Sequence, residues 1–367
     1  MDDDKKVLDI FSLDKSKRIL VWICEAVITF FFAYILMHAM VTPIYSAVGG
    51  YGKIAENANI AIKKRNRALV DEELLYFENE EAQIGEIAYG LSYSYDLFMT
   101  DFIKQDTNEP HNILKRFYIK FDSIENYYNY FKIYDKGFDL FIFDDTTSTI
   151  TLKEEHIEGF NAVIDEADEM SPASQKLYDN YLYKFFLTFY SQILKTMKTQ
   201  NISLSGVSYA ELQEAIDYSN NFYDTMIIIC SVISFAVSWS ITCIIIPLSN
   251  RNKRSISMIM MRIQRIDLNT FRILKKKRSL LIAFYNLVMY LFVLFLIPLP
   301  LINIGYLFSM PILLYPSLIS LFICLFSFIT LLTNGKNQAT SDLLTNTIFV
   351  TNDTLDDIYK SKGYLIK

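Results

Sequence analysis

SLLIAFYNLVMYLFVLFLIPLPLINIGYLFSMPILLYPSLISLFICLFSFITLLTNG, residues 279–335, runs for 57 positions without Asp, Glu, Lys or Arg. A helix needs about 20 predominantly apolar residues to cross a bilayer core, so this run is long enough for two crossings. Pro298, Pro300, Gly305 and Pro311 interrupt it in the middle. Two further stretches share its character. Residues 19–41 carry one acid, Glu25, and one histidine, His38, and residues 225–250 carry no charge. Helices in a soluble core rarely lose polar residues all round over such lengths. The expected fold class is therefore an α-helical integral membrane protein with four transmembrane helices, at 19–41, 225–247, 280–298 and 312–333. The first stretch exceeds the apolar core of a signal peptide and lacks a convincing small-residue cleavage site, so it reads as a retained span.

Orientation follows from Lys and Arg beside the spans. Lys15, Lys17 and Arg18 precede the first. Ten basic residues against one acid, Asp267, lie in residues 251–278, and the turn at 298–311 has none. The rule places the N-terminus (1–18), the basic loop (248–279) and the tail (334–367) in the cytoplasm, in a multi-pass protein of the cell membrane. Residues 50–224 then form an extracytoplasmic domain. It holds 16 Lys and Arg against 30 Asp and Glu, a net of −14 within an overall −6. All four cysteines fall in expected spans, so this domain is not a disulfide scaffold.

The domain reads as mainly helical with one small β-hairpin. Residues 53–135 have helical composition, broken at Asp106-Thr107-Asn108-Glu109-Pro110, with a second helix over about 111–134 striped by Phe117, Phe121, Ile124, Tyr128 and Phe131. Residues 138–143 and 148–152 are rich in β-formers around an Asp144-Asp145-Thr146-Thr147 turn. Helical pattern returns at 155–168, 173–198 and 207–224, the last able to continue into the second span. Seventeen of the 25 tyrosines lie in this domain. They suit either a partner-binding surface or helix packing with hydroxyls at the rim. Asp165, Glu166, Asp168, Glu169 and the Asp144-Asp145 pair match no defined calcium loop and read as a solvated acidic face.

No catalytic constellation, metal spacing or phosphate-binding glycine loop stands out, so no enzyme, metal or cofactor is expected. Glu25 is the informative polar residue. An acid at membrane depth is a functional hypothesis by default, the alternative being an ion pair with Lys17, Arg18 or the 275–278 cluster. The basic loop interleaves Arg254, Arg262, Arg265, Lys275, Lys276, Lys277 and Arg278 with Ile and Met. Such a segment should lie on anionic lipids of the inner leaflet rather than on nucleic acid.

Three segments together resemble the RDD family of membrane proteins, named for an Arg and two Asp. Arg18-Ile-Leu-Val-Trp-Ile-Cys-Glu25 resembles the family's opening, with Glu where the family has Asp. Arg254-Ser-Ile-Ser-Met-Ile-Met-Met-Arg-Ile-Gln-Arg-Ile-Asp267 is similar to a segment of the type R-T-L-G-K-K-L-L-G-I-R-V-V-D, with Ser257 and Arg262 at its glycines. Asp342-Leu-Leu-Thr-Asn-Thr-Ile-Phe-Val350 resembles D-x-x-A-G-T-V-V-V, with Thr345-Asn346 at Ala-Gly. The resemblance covers about 11–45 and 225–352, leaving the extracytoplasmic domain as an insertion. It implies Arg18, Glu25 and Asp342 as functional polar residues and, for some members, cation/proton exchange or other transport. The residues themselves lean to an accessory role, with a membrane-protein partner or a homo-oligomer.

Overall fold

In the computed structural model the described residues are 12–79, 85–105, 111–164, 172–291, 306–307, 310–311 and 314–361. The fold is mostly helical with small two-stranded sheets. The chain divides into two compact units: a span unit, Met1–Gly49 with Tyr223–Lys367, and an inserted unit, Gly50–Phe222.

Three described helices are long and apolar enough to cross a membrane: Lys15–Gly49, Tyr209–Ser249 and Tyr315–Thr333. The first is α1 (Lys15–Leu36), continued through a π-helical turn at Met37–Val41 and on to Gly49. Polar side chains tie it to the Tyr209–Ser249 helix: Ser238 Oγ donates to the Thr29 carbonyl at 2.6 Å, and the Thr29 and Thr242 hydroxyls meet at 3.0 Å. Such bonds hold apolar helices together where the hydrophobic effect between them is weak. Of the third expected span, α11 (Lys276–Tyr290) is helical and 292–298 lies outside the described residues; the short strands β6 (Tyr306–Leu307) and β7 (Met310–Pro311) precede α12 (Leu314–Thr333), at the fourth. Trp239 Nε1 donates to the Ala283 carbonyl of α11 at 3.1 Å.

The inserted unit begins with α2 (Tyr51–Asp71), α3 (Ile87–Ile103), α4 (Ile113–Phe121) and α5 (Ile124–Asp135). The hairpin β1 (Phe141–Asp144) and β2 (Thr149–Leu152) follows, in register Phe141↔Leu152. Then come α6 (Glu154–Ile164), α7 (Pro172–Asn180), a π turn at Tyr181–Phe186, α8 (Leu187–Thr199), and the short hairpin β3 (Ser203–Leu204) and β4 (Val207–Ser208). Its last helix is the first part of α9 (Tyr209–Trp239), which runs unbroken into the apolar stretch.

Aromatic rings make the core of this unit. Phe131 is fully buried, with Phe185 at 4.7 Å, Phe141 at 4.8 Å and Phe189 at 5.8 Å between ring centres. Tyr95, Tyr118, Tyr127, Tyr181, Tyr190 and Tyr209 are buried as well. These six tyrosines are thus packing residues, and the Tyr190 hydroxyl donates to the Leu74 carbonyl at 2.6 Å.

Two helix boundaries differ from the sequence reading. The helix expected over 111–134 is two helices. Ser123 caps the second by accepting from Asn126 N at 3.2 Å, so a local cap outcompetes continuation. The helical run from 53 stops at Asp71 because the next segment turns inward: Glu73 takes a left-handed backbone and Leu74, Leu75 and Phe77 enter the core. The Asp144-Asp145 pair is turn chemistry. Asp144 Oδ1 accepts from Thr146 N at 2.9 Å, and Asp145 accepts from Tyr128 and Lys132. The 106–110 break and the acids at 165–169 lie outside the described residues.

Glu72 joins three parts of this unit. One carboxylate oxygen accepts from the Ser205 N–H and hydroxyl at 2.9 and 3.0 Å, and the other accepts from Lys120 at 2.9 Å. The Lys120 bond, reinforced by Ser205, holds its carboxyl below the ordinary value of 4.5. A carboxyl lowered in the fold stabilises above its unfolded pKa, and that stabilisation is lost as pH falls through the folded value. Glu72→Gln should lower the melting temperature near neutral pH and flatten its fall on acidification below about pH 4.5, measured by scanning fluorimetry of the full chain in detergent.

Candidate functional site

Asp342 is fully buried, and the local fold sets its position. It is the third residue of α13 (Thr340–Thr345), where its Oδ2 accepts from the Ala339 N–H at 2.9 Å, closing the first turn. Asn346 then takes a left-handed conformation that ends the helix and starts β8 (Thr347–Thr351). Strand β8 pairs antiparallel with β5 (Ile263–Asp267), in register Arg265↔Phe349 and Ile266↔Ile348. The pairing is possible because a short helix, α10 (Ile256–Met260), and a left-handed Arg262 turn the chain into β5. The C-terminal helix α14 (Asn352–Ser361) packs Leu355 and Ile358 under the same strands.

Two arginines converge on Asp342. Arg18, near the start of α1, pairs with Oδ2, and Arg265 Nη2 lies 3.1 Å from Oδ1. Thr347 Oγ1 donates to Oδ1 at 3.4 Å. Arg18 also bonds the Asn337 carbonyl. Both guanidinium carbons lie over the Phe349 ring, at 4.5 Å for Arg18 and 4.3 Å for Arg265, a contact that strengthens when desolvated. The surrounding chain is stitched to the same place. Leu13 N donates to the Phe349 carbonyl at 2.9 Å, and Lys15 Nζ to the Leu332 carbonyl at 2.7 Å.

Glu25, two turns further along α1, is buried and faces this group. Ser255 bonds its carboxylate and Arg265 attracts it. Arg265 is thus the cation that acts on it, and among the described residues it forms no ion pair with Lys17, Arg18 or the 275–278 cluster. Arg18, Glu25, Arg265 and Phe349 line one cavity of about 220 Å³ together with Trp22, Tyr285, Asn286, Ser327 and Phe328. The three residues expected to matter, Arg18, Glu25 and Asp342, are thus brought into one cluster, across more than 300 residues of sequence.

The basic loop behaves differently from its reading as a lipid-facing segment. Arg265 is buried on Asp342 and cannot reach a bilayer surface, because β-pairing turns it inward. Arg254 Nε donates to Gln264 Oε1 at 2.6 Å, and Arg278 pairs with Asp267. Arg262, Lys275, Lys276 and Lys277 are exposed. Sequence reasoning assigned Arg265 to the inner-leaflet surface and missed its place in the buried cluster. The available signal was the β-like Ile263-Gln264-Arg265-Ile266 run, which composition alone assigned to a basic surface. Among the described residues, no group of three or more His, Cys, Asp or Glu side chains could hold a metal ion.

Arg262 and Asn346 both have left-handed backbone, with φ of 55° and 52°. Left-handed residues with a Cβ are strained by roughly 1–2 kcal/mol. Arg262→Gly should therefore stabilise the chain by about 0.5 kcal/mol, after glycine's own entropic cost. Asp342→Asn should destabilise by about 3–5 kcal/mol, since it leaves two buried guanidinium groups short of a counter-charge. Thermal unfolding of the full chain in detergent reads both. No family model, curated protein or solved structure matches the chain, and the residues themselves carry the functional reading.

Proposed function

We propose that the chain is an RDD-like, multi-pass membrane protein whose inserted unit binds a partner or ligand outside the cytoplasm. Its span unit then acts as an accessory or scaffold subunit of a membrane complex. In this reading four helices cross the cell membrane, both termini are cytoplasmic, and residues Gly50–Phe222 are extracytoplasmic. The observation that carries it is the self-sufficiency of the inserted unit. Its buried aromatic core draws on residues of that unit alone, while three separate small cores and the Arg18–Asp342–Arg265 cluster belong to the span unit. A folded body entered and left by membrane-length helices suits recognition better than catalysis. Its surface includes a hollow of about 320 Å³ lined by Glu125, Tyr127, Tyr128, Ser148 and Ile150, among others.

The RDD-like part of the reading gains support from the backbone. Arg262 and Asn346 stand where the family pattern has glycine, and both adopt the conformation for which glycine is favoured. The two segments of the resemblance that contain them pair as β5 and β8. Exposed Arg262, Lys275, Lys276 and Lys277 remain suited to anionic inner-leaflet lipid.

A second reading, cation or proton transport with Glu25 as the titrating carboxylate, is favoured by one observation: Glu25 lines the cavity beside Asn286 and Ser327. Intact mass of the particle purified from native membranes in mild detergent separates the two. A stoichiometric second protein, lost when residues 51–221 are replaced by a flexible linker, is the expected result. A homo-oligomer whose proton or cation flux in proteoliposomes disappears in Glu25→Gln would install the transport reading instead.

A further inference from the structure

The cavity beside Arg18 has a mismatch between donors and acceptors. The Asp342 carboxylate is saturated by Arg18, Arg265, the Ala339 N–H and the Thr347 hydroxyl. Ser255 and Arg265 engage Glu25. The formal charges of the two arginines and two acids cancel. Yet Arg18 Nε, Arg265 Nε and the Tyr285 hydroxyl are buried with no hydrogen-bond partner among the described residues. All three residues line the cavity. Arg18 and Arg265 are each only 8% exposed. Buried donors normally find acceptors, and these three find none among the described residues.

The opposite wall is apolar: Trp22, Met289, Phe328 and Leu331. Phe328 is 45% exposed, as are other side chains along the same face of its helix, Phe322, Leu325 and Leu332, to a similar or greater degree. The cavity therefore reaches the apolar exterior of the span helices. Its 220 Å³ is below the ~300 Å³ at which pockets for whole drug-sized ligands begin. It has room for a head and the start of a chain, with the remainder outside.

We propose that this cavity takes the phosphate and ester oxygens of a membrane phospholipid, held by Arg18, Arg265 and Tyr285, with the acyl chains leaving past Phe328 into the bilayer. The assignment rests on the reading of these helices as membrane spans. It is independent of whether the protein is an accessory subunit or a transporter. The ligand supplies acceptors to donors that otherwise have none, and the apolar wall continues directly into the solvent of its tails.

The test is native mass spectrometry of the full detergent-solubilised chain titrated with dioleoylphosphatidylglycerol, with oleylamine and with inorganic phosphate. Phospholipid adducts should form and resist exchange. Ser327→Met, which fills the cavity and leaves every charge in place, should abolish them. Tyr285→Phe should weaken retention by about three- to tenfold, the loss of one hydrogen bond. Melting temperatures close to the parent chain show that both variants fold. Three results would overturn the proposal: oleylamine binding more tightly than the phospholipid, inorganic phosphate alone displacing it, or adducts unchanged in both variants. Release of the chain from membranes by alkaline carbonate would sink the membrane reading itself, whatever the adducts show.

Discussion

Asp342 placed between Arg18 and Arg265 is the constraint on which the span unit depends. A buried carboxylate is tolerable only if it is paired and fully hydrogen-bonded. Here each of its two oxygens receives one arginine and one further donor. Those donors come from the N-terminal helix, the β5 strand, the start of α13 and the start of β8, so a single side chain fixes the mutual position of four segments. Phe349 adds a flat surface on which both guanidinium groups rest. The apolar contacts around it, Leu13, Val21, Met258 and Ile263, exclude the water that would otherwise weaken the pairs.

Such a cluster gives a membrane protein something that apolar helices lack, which is register. Helix faces of Leu, Ile and Phe can slide and rotate at small cost in lipid, because the tails solvate them equally well. A directional network at one end removes that freedom. The hydroxyl bonds of Thr29, Ser238 and Thr242, and the Trp239 bond to Ala283, extend the same principle along the helices. The inserted unit solves its stability problem by other means. Without disulfides, it relies on a continuous aromatic core, with tilted and edge contacts among Phe98, Phe102, Phe131, Phe141, Phe185 and Phe189. That use of tyrosine and phenylalanine leaves less of the tyrosine content for recognition than its density in sequence suggested.

Glu25 and the cavity beside it link this architecture to function. The acid is attracted by Arg265 and hydrogen-bonded by Ser255, which makes it a member of the cluster as well as a candidate for chemistry. The three buried atoms without a partner among the described residues are a property of the folded cluster alone, since no one of Arg18, Arg265 or Tyr285 advertises them in sequence. They turn a structural clamp into a place where a ligand has something to do.

The sequence alone determined whatever depends on local composition and period. Runs nearly or wholly without charge led to four expected spans, and three membrane-length helices stand among the described residues, because only mostly apolar side chains suit that environment. The hairpin at 141–152 follows from β-formers around an Asp-Asp-Thr-Thr turn. Glu25 could be singled out because it is an acid inside an apolar run, whereas Arg18 and Asp342 were pointed to only by the resemblance of their segments to the RDD pattern. Tertiary structure decided what depends on partners distant along the chain. The sequence showed Arg265 as one basic residue in a basic loop, and only pairing with residues 347–351 turns it inward onto Asp342. The stop after Asp71 is likewise invisible locally, since Leu74, Leu75 and Phe77 leave the helix to fill a core assembled from later helices. Period and composition report the solvent each residue prefers. Which buried charge meets which is set by long-range geometry, and that geometry exists only once the chain has folded.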